Sequence, residues 1–157
     1  MSTLYVMVGI PGSGKSTWAK ANLTDAEYIS RDTVRLSIIK DNEDLFAHED
    51  EVYNKFVSIL ADGLRDNRNM VADATHMSHG ARAKLVRAIE KAGVKVDRYQ
   101  IVFVYMNTPI EECIRRDDLR EGRAHVTAPV IRRMAHSLSC PAADEFPNIK
   151  EVIQVRG

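Results

Sequence analysis

The chain has 157 residues, of which 45% are hydrophobic and 28% charged, and 22 basic side chains balance 22 acidic ones to a net charge of +0. A soluble globular protein typically has this composition, and we expect one domain over residues 1–157. Charge neutrality argues against coating of nucleic acid through a generic positive field, although it allows a local basic patch. No apolar run approaches the ~18 residues of a spanning helix. We therefore expect no membrane partner and a cytoplasmic location.

Strand and helix patterns alternate along the chain. The apolar run 4–10 predicts a strand buried on both faces that ends in a tight turn. Further strands are predicted at 27–30, 69–74, 99–106 and 151–155. Helices are predicted between them, beginning near residues 15, 31, 50, 78, 108 and 129. This alternation predicts an α/β fold with a parallel sheet of about five strands and helices on both faces.

Two of the helix starts carry capping signals. Ser78 is a plausible cap for the helix that Gly93 stops. The run Thr108-Pro109-Ile110-Glu111 predicts a capping box, with the proline at the first helical position.

The stretch GIPGSGKS, residues 9–16, matches the phosphate-loop pattern G-x-x-x-x-G-K-[ST]. Glycines let backbone N–H groups turn toward phosphate oxygens, and the helix that follows directs its positive end at them. The side chain of Lys15 would reach the outer phosphates, and the Ser16 hydroxyl would ligate Mg²⁺. We expect the nucleotide to contact Gly12, Ser13, Gly14, Lys15 and Ser16 in a P-loop NTPase-type fold.

The phosphate loop does not define the reaction, because GTPases, motor ATPases and small kinases share it. Its early position predicts that no cleavable signal peptide precedes it. Cys113 and Cys140 have no metal or redox spacing, and we expect reduced thiols.

Asp32 and Arg35 follow the second strand, at the sheet edge that carries the phosphate loop. Asp32 could be a general base that takes a proton from an attacking hydroxyl, or a helix N-cap. We place Arg35 in the first helical turn, where a cation opposes the helix dipole. That unfavourable placement predicts that Arg35 is kept for an anionic ligand.

Asp73 ends the third strand at the same edge. It could anchor a metal-bound water, an arginine or the acceptor, or it could hold the following loop. His76 and His79 have a spacing found in metal sites, but no third ligand is evident. We expect these two histidines to face solvent or to contact the acceptor.

Residues 115–127 are rich in arginine. The four arginines, at positions 115, 116, 120 and 123, could belong to a solvated helix face with i,i+4 ion pairs. Alternatively they form a lid that Gly122 interrupts, with an arginine neutralising charge on the transferred phosphate. Their density favours the lid.

Four stretches together resemble the bacteriophage-type 5′-polynucleotide kinases in order and spacing. They are GIPGSGKSTWAK, SRDTVRLSI, VADATHMSHGAR and RRDDLREGRAHVTAPVIRRM, and the resemblance covers almost the whole chain. Such enzymes transfer the γ-phosphate of ATP to the 5′-hydroxyl end of DNA or RNA, usually in nucleic-acid end repair.

On the donor side, the resemblance implies that Lys15, Ser16 and Thr17 contact the ATP phosphates and Mg²⁺. It implies Arg120 as the catalytic lid arginine that also contacts ATP, with Arg123 as a rival for that role.

On the acceptor side, the resemblance implies that Asp32 is the general base on the 5′-hydroxyl. Arg35 would hold the phosphate on the 3′ side of the reacting nucleotide. Asp73, together with Thr75, would support this acceptor site.

Bifunctional members of that family continue into a 3′-phosphatase domain with an Asp-x-Asp-x-Thr motif, which this sequence lacks. We therefore expect no 3′-phosphatase activity, and either a stand-alone kinase or a kinase that works beside a separate ligase or phosphatase. Two alternatives stay open: a small-molecule kinase for a nucleoside, sugar or other alcohol, and an ATP-binding regulatory module. Asp32 argues against the regulatory module, and Arg35 against a neutral acceptor.

Overall fold

The computed structural model describes residues 1–157 and contains one parallel sheet. Its strands are β1 Ser2–Val8, β2 Glu27–Ser30, β3 Met70–Asp73, β4 Tyr99–Asn107 and β5 Ile149–Arg156. They lie in the order β2-β3-β1-β4-β5, and every neighbouring pair is parallel. The α-helices are α1 Lys15–Asn22, α2 Arg31–Ile38, α3 Glu49–Arg65, α4 His79–Lys91, α5 Ile110–Asp118 and α6 Ala128–Ser137. The predicted parallel sheet of about five strands is confirmed.

Helices cover both faces of the sheet because successive side chains of a strand point to opposite sides. Leu4, Val6 and Val8 of β1 share a core with apolar residues of α3 and α4. Met7, between them, belongs to a second core on the other face together with Ala19 of α1. This two-sided burial explains why β1 is almost continuously apolar.

A third apolar cluster joins the turn after β1 to the two helices that follow β4. Ile10 packs there with Cys113 and Ile114 of α5 and with Ile131 of α6. The cluster therefore anchors the start of the phosphate loop to the two helices that flank the predicted lid, and Val126 at the end of that lid packs against it.

One of the two predicted helix caps forms. The Ser78 Oγ accepts a hydrogen bond from the Ala81 N–H at 3.1 Å, so this cap is confirmed. The predicted capping box at Thr108 is wrong, since Pro109 occupies the cap position and no side chain caps the helix. The buried Thr108 hydroxyl instead donates to the Ser13 carbonyl oxygen at 2.7 Å. Thr108 thus fixes the phosphate loop rather than its own helix.

The sheet topology brings three strand ends to one edge. Ser30 at the end of β2 pairs in register with Asp73 at the end of β3, and β3 lies next to β1. Strands β2 and β3 lie on one side of β1, and β4 and β5 lie on the other. The strand order therefore changes direction at β1, and ligands of open α/β sheets bind at such a switch point. None of the helices has the length and apolar character that crossing a membrane requires.

Candidate active site

The phosphate loop depends on two glycines with left-handed backbone conformations. Gly12 has φ 82° and Gly14 has φ 93°, values that side chains with a Cβ rarely adopt. A Cβ on Gly12 would lie 2.4 Å from the carbonyl oxygen of Cys113. The backbone of α5 therefore approaches the loop so closely that only glycine fits at position 12.

The amino end of α1 is open toward solvent and suited to an anion. Gly14 occupies the cap position, no side chain caps the helix, and the first turn holds no acidic residue. The exposed side chains of Ser16 and Thr17 lie in that first turn. Uncapped N–H groups and the helix dipole favour phosphate here, and the Ser16 hydroxyl has the oxygen chemistry that Mg²⁺ requires.

Lys15 is partly buried between the phosphate loop and the acidic residues. Its Nζ donates to the Ile10 carbonyl oxygen at 3.2 Å. Burial lowers the pKa of Lys15, whereas the nearby carboxylates of Asp73 and Asp32 act to raise it. The fold thus brings the predicted phosphate lysine and the two predicted acceptor-side carboxylates into one electrostatic neighbourhood.

Asp73 is buried at the end of β3 and is bonded to a residue that the sequence did not single out. The Tyr28 hydroxyl, from β2, donates to Asp73 Oδ2. Burial raises the pKa of Asp73, and Lys15 and this hydrogen bond oppose the rise. This hydrogen bond joins β3 to β2 and is not a contact with the loop after β3, so the alternative roles of Asp73 stay predictions.

Asp32 and Arg35 form an ion pair on α2, but their exposure differs sharply. The Asp32 side chain is 84% exposed, and that of Arg35 is 11% exposed. Glu49, the first residue of α3, binds Arg35 through two hydrogen bonds, from Nε at 2.5 Å and from Nη2 at 3.0 Å. Arg31 also reaches Glu49, at 3.1 Å. Glu49 is therefore the centre that joins α2 to α3.

The structure contradicts the predicted helix position of Arg35 and the N-cap alternative for Asp32. The helix begins at Arg31, so Arg35 lies in its last turn, where the helix dipole favours a cation. The N-cap is Ser30, whose Oγ accepts from the Thr33 N–H at 3.3 Å, and Asp32 is not the cap. The dipole argument for a ligand of Arg35 therefore fails, and the cap alternative for Asp32 falls away.

The arginines of the predicted lid have different positions. Arg115 and Arg116 both pair with Glu112, and the Arg116 pair has the i,i+4 spacing that the solvated-face alternative predicted. Arg116 also donates from Nη1 to the Gly12 carbonyl oxygen at 3.2 Å, which places its guanidinium on the phosphate loop. Arg120 is exposed and lies near enough to lower the pKa of Lys15. Sequence patterns could not distinguish Arg116 from its neighbours, because only its contact with the loop sets it apart.

Arg123 points toward the acceptor side. Its Nη2 donates to the carbonyl oxygens of Asp41 at 3.1 Å and Glu43 at 2.9 Å, in the loop between α2 and α3. Arg123 therefore connects the segment after α5 to the loop that precedes Glu49.

A buried carboxylate shapes the chain after α5. Asp117 is fully buried and accepts hydrogen bonds from the backbone N–H groups of Val126 and Thr127, each at 2.8 Å. Thr127 has φ 89° and is held there immediately before α6. The predicted interruption at Gly122 comes after the helix has already ended at Asp118, and a 3₁₀ turn covers Gly122–Ala124.

The two histidines lie in different environments, and neither belongs to a group of side chains that could hold a metal ion. His76 is buried, and its Nδ1 lies 2.8 Å from the Met7 carbonyl oxygen. Burial lowers the pKa of His76 to about 4. The expectation of a solvent-facing or acceptor-contacting side chain is therefore wrong for His76, whereas His79 is exposed and pairs with Glu145 at 3.0 Å.

Residues 75 and 82 hold the loop after β3. The Thr75 carbonyl oxygen accepts from the Gly9 N–H at 3.0 Å, which ties this loop to the phosphate loop. Arg82 is fully buried and donates to the His76 carbonyl oxygen at 2.9 Å and to Glu145 Oε1 at 2.7 Å. An arginine on the apolar face of a predicted helix was the available sequence signal for Arg82.

A parallel sheet of this order, a glycine-rich loop after β1 and an uncapped helix beyond it define a P-loop nucleotide-binding protein. The family model described as an AAA domain matches residues 4–141, and the chain belongs to that family. No curated protein sequence matches the chain significantly.

Several solved structures share the fold. A sugar kinase from Janibacter sp. HTCC2649 superposes with a TM-score of 0.68 and 14% identity, covering 99% of this chain and 86% of that one. The Pnkp1/Rnl/Hen1 RNA repair complex gives 0.73 and 24%, over 87% of this chain and 44% of that one. Kti12 from Chaetomium thermophilum in complex with ADP-AlF₃ gives 0.67 and 16%, over 98% and 88%. At these identities the likeness shows the fold alone.

Proposed function

We propose that the protein is an ATP-dependent polynucleotide 5′-hydroxyl kinase. The observation that carries the proposal is the arrangement of Asp32 and Arg35 opposite Lys15. Asp32 offers an exposed carboxylate that acts electrostatically on the phosphate lysine. The nearly buried guanidinium of Arg35 lies beside that carboxylate.

Arg35 keeps hydrogen-bonding capacity for an anion even though it is paired. A guanidinium carries five N–H donors. Three of the donors of Arg35 form hydrogen bonds with Glu49 and Asp32. The remaining donors suit a phosphate oxygen, which prefers such a planar fork. A nucleic-acid end supplies this phosphate on the 3′ side of its first nucleotide, whereas a neutral alcohol does not.

The proposed reaction follows from these positions. Asp32 accepts the proton of the acceptor hydroxyl, whose oxygen forms a bond to the γ-phosphorus of ATP as the bond to the β–γ bridging oxygen breaks. Lys15 and the N–H groups at the start of α1 hold the departing charge on ADP. Ser16 would hold Mg²⁺, which neutralises the phosphate oxygens when bound. Arg116 and Arg120 are the arginines that lie close enough to the phosphate loop to assist.

The second candidate is a small-molecule kinase. It is favoured by the likeness to a sugar kinase over 86% of that chain, compared with 44% for the RNA repair complex. Asp32 would have the same role in either reaction, so the acceptor alone separates the two candidates.

A transfer assay with γ-labelled ATP tests the proposal. We expect label on a 5′-OH oligonucleotide and none on the same oligonucleotide with a 5′-phosphate. Free nucleosides and neutral sugars are tested as alternative acceptors. Labelling of a small alcohol without labelling of the oligonucleotide would contradict the proposal and support the second candidate. If oligonucleotide ends are labelled, the next step is a search for a separate ligase or phosphatase that works beside the kinase.

A further inference from the structure

The loop between α2 and α3 presents an aromatic side chain to solvent beside the proposed acceptor site. Phe46 is 60% exposed and belongs to none of the three apolar cores. The guanidinium carbon of Arg35 lies 5.2 Å from the centre of the Phe46 ring. The Arg35 guanidinium thus contacts the Phe46 ring and also the Asp32 carboxylate.

The loop that carries Phe46 is held by several contacts. The Lys40 N–H donates to Glu43 Oε1 at 2.9 Å, and His48 Nε2 lies 2.5 Å from Glu43 Oε2. The Phe46 N–H donates to Asp44 Oδ1 at 3.2 Å. Arg123 adds two hydrogen bonds from outside the loop. An ordered loop therefore holds the ring in place. Because the loop is already ordered, a ligand that covers the ring loses little binding free energy to ordering the loop.

We propose that Phe46 stacks on a nucleobase next to the phosphate that Arg35 binds. This inference rests on the proposed polynucleotide kinase activity and assigns a residue that recognises the acceptor. Bases stack on exposed aromatic rings without sequence preference, and a guanidinium beside the ring supplies the ligand for the adjoining phosphate. A neutral sugar could cover the ring but would leave the free N–H groups of Arg35 without an anion.

The test compares acceptors with and without the base. Label transfer is measured for a 5′-OH oligonucleotide and for two versions with an abasic site at the first or the second nucleotide. For the unaltered protein, we expect one abasic site to raise the acceptor KM about tenfold. In Phe46→Ala, the KM for the intact acceptor should be as high as the KM of the unaltered protein for the abasic acceptor. The abasic site should not raise the KM of this variant any further. Phe46→Trp should keep the low KM, and the KM for ATP should not change in either variant.

A matched control replaces another exposed apolar side chain. Leu36 of α2 is 59% exposed, so Leu36→Ala tests whether lost apolar surface by itself weakens acceptor binding. We expect its sensitivity to abasic sites to match that of the unaltered protein.

The stacking proposal fails if Phe46→Ala leaves the acceptor KM unchanged, or if it raises the KM equally for the intact and both abasic acceptors. Equal effects would place Phe46 against the sugar–phosphate backbone. Absence of label on every oligonucleotide with the unaltered protein would instead contradict the polynucleotide kinase function itself.

Discussion

The donor half and the acceptor half of the site are built in different ways. The donor half is the continuous stretch 9–16, where backbone N–H groups and two left-handed glycines form the cradle. The acceptor half combines side chains of α2, of α3 and of the loop between them, and ion pairs hold it together. A cradle made of backbone binds phosphate whatever the acceptor is, so specificity must come from the exposed side chains opposite.

The two halves also differ in what stabilises them. The apolar cluster of Ile10, Cys113 and Ile131 and the Thr108 hydrogen bond hold the phosphate loop. Glu49 connects the acceptor half through contacts 14 and 18 residues away in the chain. We therefore expect changes in the donor half to affect nucleotide binding, and changes in the acceptor half to affect acceptor binding or turnover without affecting nucleotide binding.

The largest effect on activity is expected at Asp32. Asp32→Asn keeps the shape of the side chain but removes the proton acceptor, so turnover should fall by about 10³-fold with little change in ATP affinity. The measurement is single-turnover label transfer together with equilibrium ATP binding. Asp97→Asn, an identical change near the opposite edge of the sheet, should leave both unchanged. Near-normal turnover in Asp32→Asn would remove the general-base role.

A change in the donor half should have the converse effect. Gly12→Ala adds a Cβ at a left-handed position and 2.4 Å from the Cys113 carbonyl oxygen, so the loop must move. We expect ATP affinity to fall roughly 100-fold, since strain at such a position alone costs about 1–2 kcal/mol and the clash adds to it.

Gly122 offers the matched control for this glycine. It also has a left-handed conformation, φ 61°, but a Cβ there would meet no heavy atom within 4 Å. Gly122→Ala should therefore show the strain without the clash, and ATP binding should stay near normal. Equal losses of ATP affinity in the two variants would mean that the contact with α5 does not define the loop.

A smaller effect is expected at Glu49, which orients Arg35. Glu49→Gln removes the charge that holds the guanidinium, and we expect the acceptor KM to rise about tenfold, as for the loss of one charge-assisted hydrogen bond. Glu51→Gln, an exposed neighbour in the first turn of α3, is the control. A lower acceptor KM in Glu49→Gln would show that Glu49 competes with the acceptor phosphate for Arg35.

The smallest effect concerns stability at acidic pH and His76, in the loop after β3. Burial lowers the pKa of His76 to about 4, below its unfolded value of about 6.5. The unfolded chain then binds more protons between these values, so the stability that His76 contributes is complete above pH 6.5 and is lost as the pH falls toward 4.

Between pH 7.5 and 5.5 this linkage should lower the free energy of unfolding by about 1 kcal/mol. Urea unfolding at several pH values measures it. In His76→Phe this part of the pH dependence should disappear, whereas His136→Ala, which removes an exposed histidine of α6, should retain it. An unchanged pH dependence in His76→Phe would place the effect elsewhere.

Much of the fold and the donor half could be predicted from the sequence. Sequence patterns located all five strands, the apolar runs of β1 and β3 among them, and β2 was predicted with its observed bounds. The motif located the phosphate loop because its glycines and Lys15 are close in sequence and act through local geometry. The pattern RDTVRLSIIK located the start of α2 at Arg31, but Arg35, the fifth residue of this helix, was wrongly assigned to the first turn, and the dipole argument failed for that reason.

The acceptor half and the lid were less predictable because their contacts are distant in sequence. Nothing near Arg35 indicates that Glu49 will bind it, or that Phe46 will lie beside its guanidinium. The four arginines of residues 115–127 look equivalent as a pattern, yet Arg116 contacts the phosphate loop and Arg123 the loop between α2 and α3. The direction of each side chain depends on where α5 ends and on Asp117, which fixes the turn after it.

The sequence by itself determined the alternation of strands and helices and the phosphate cradle, since hydrophobic periodicity and glycine conformations act over a few residues. Tertiary structure alone decided which polar and charged side chains that are distant in sequence meet. Asp73 became the partner of Tyr28, His76 became a buried support of β1, and Glu49 joined α2 to α3. Such partnerships depend on the register of parallel strands and on helix packing, which place together residues that no local pattern connects.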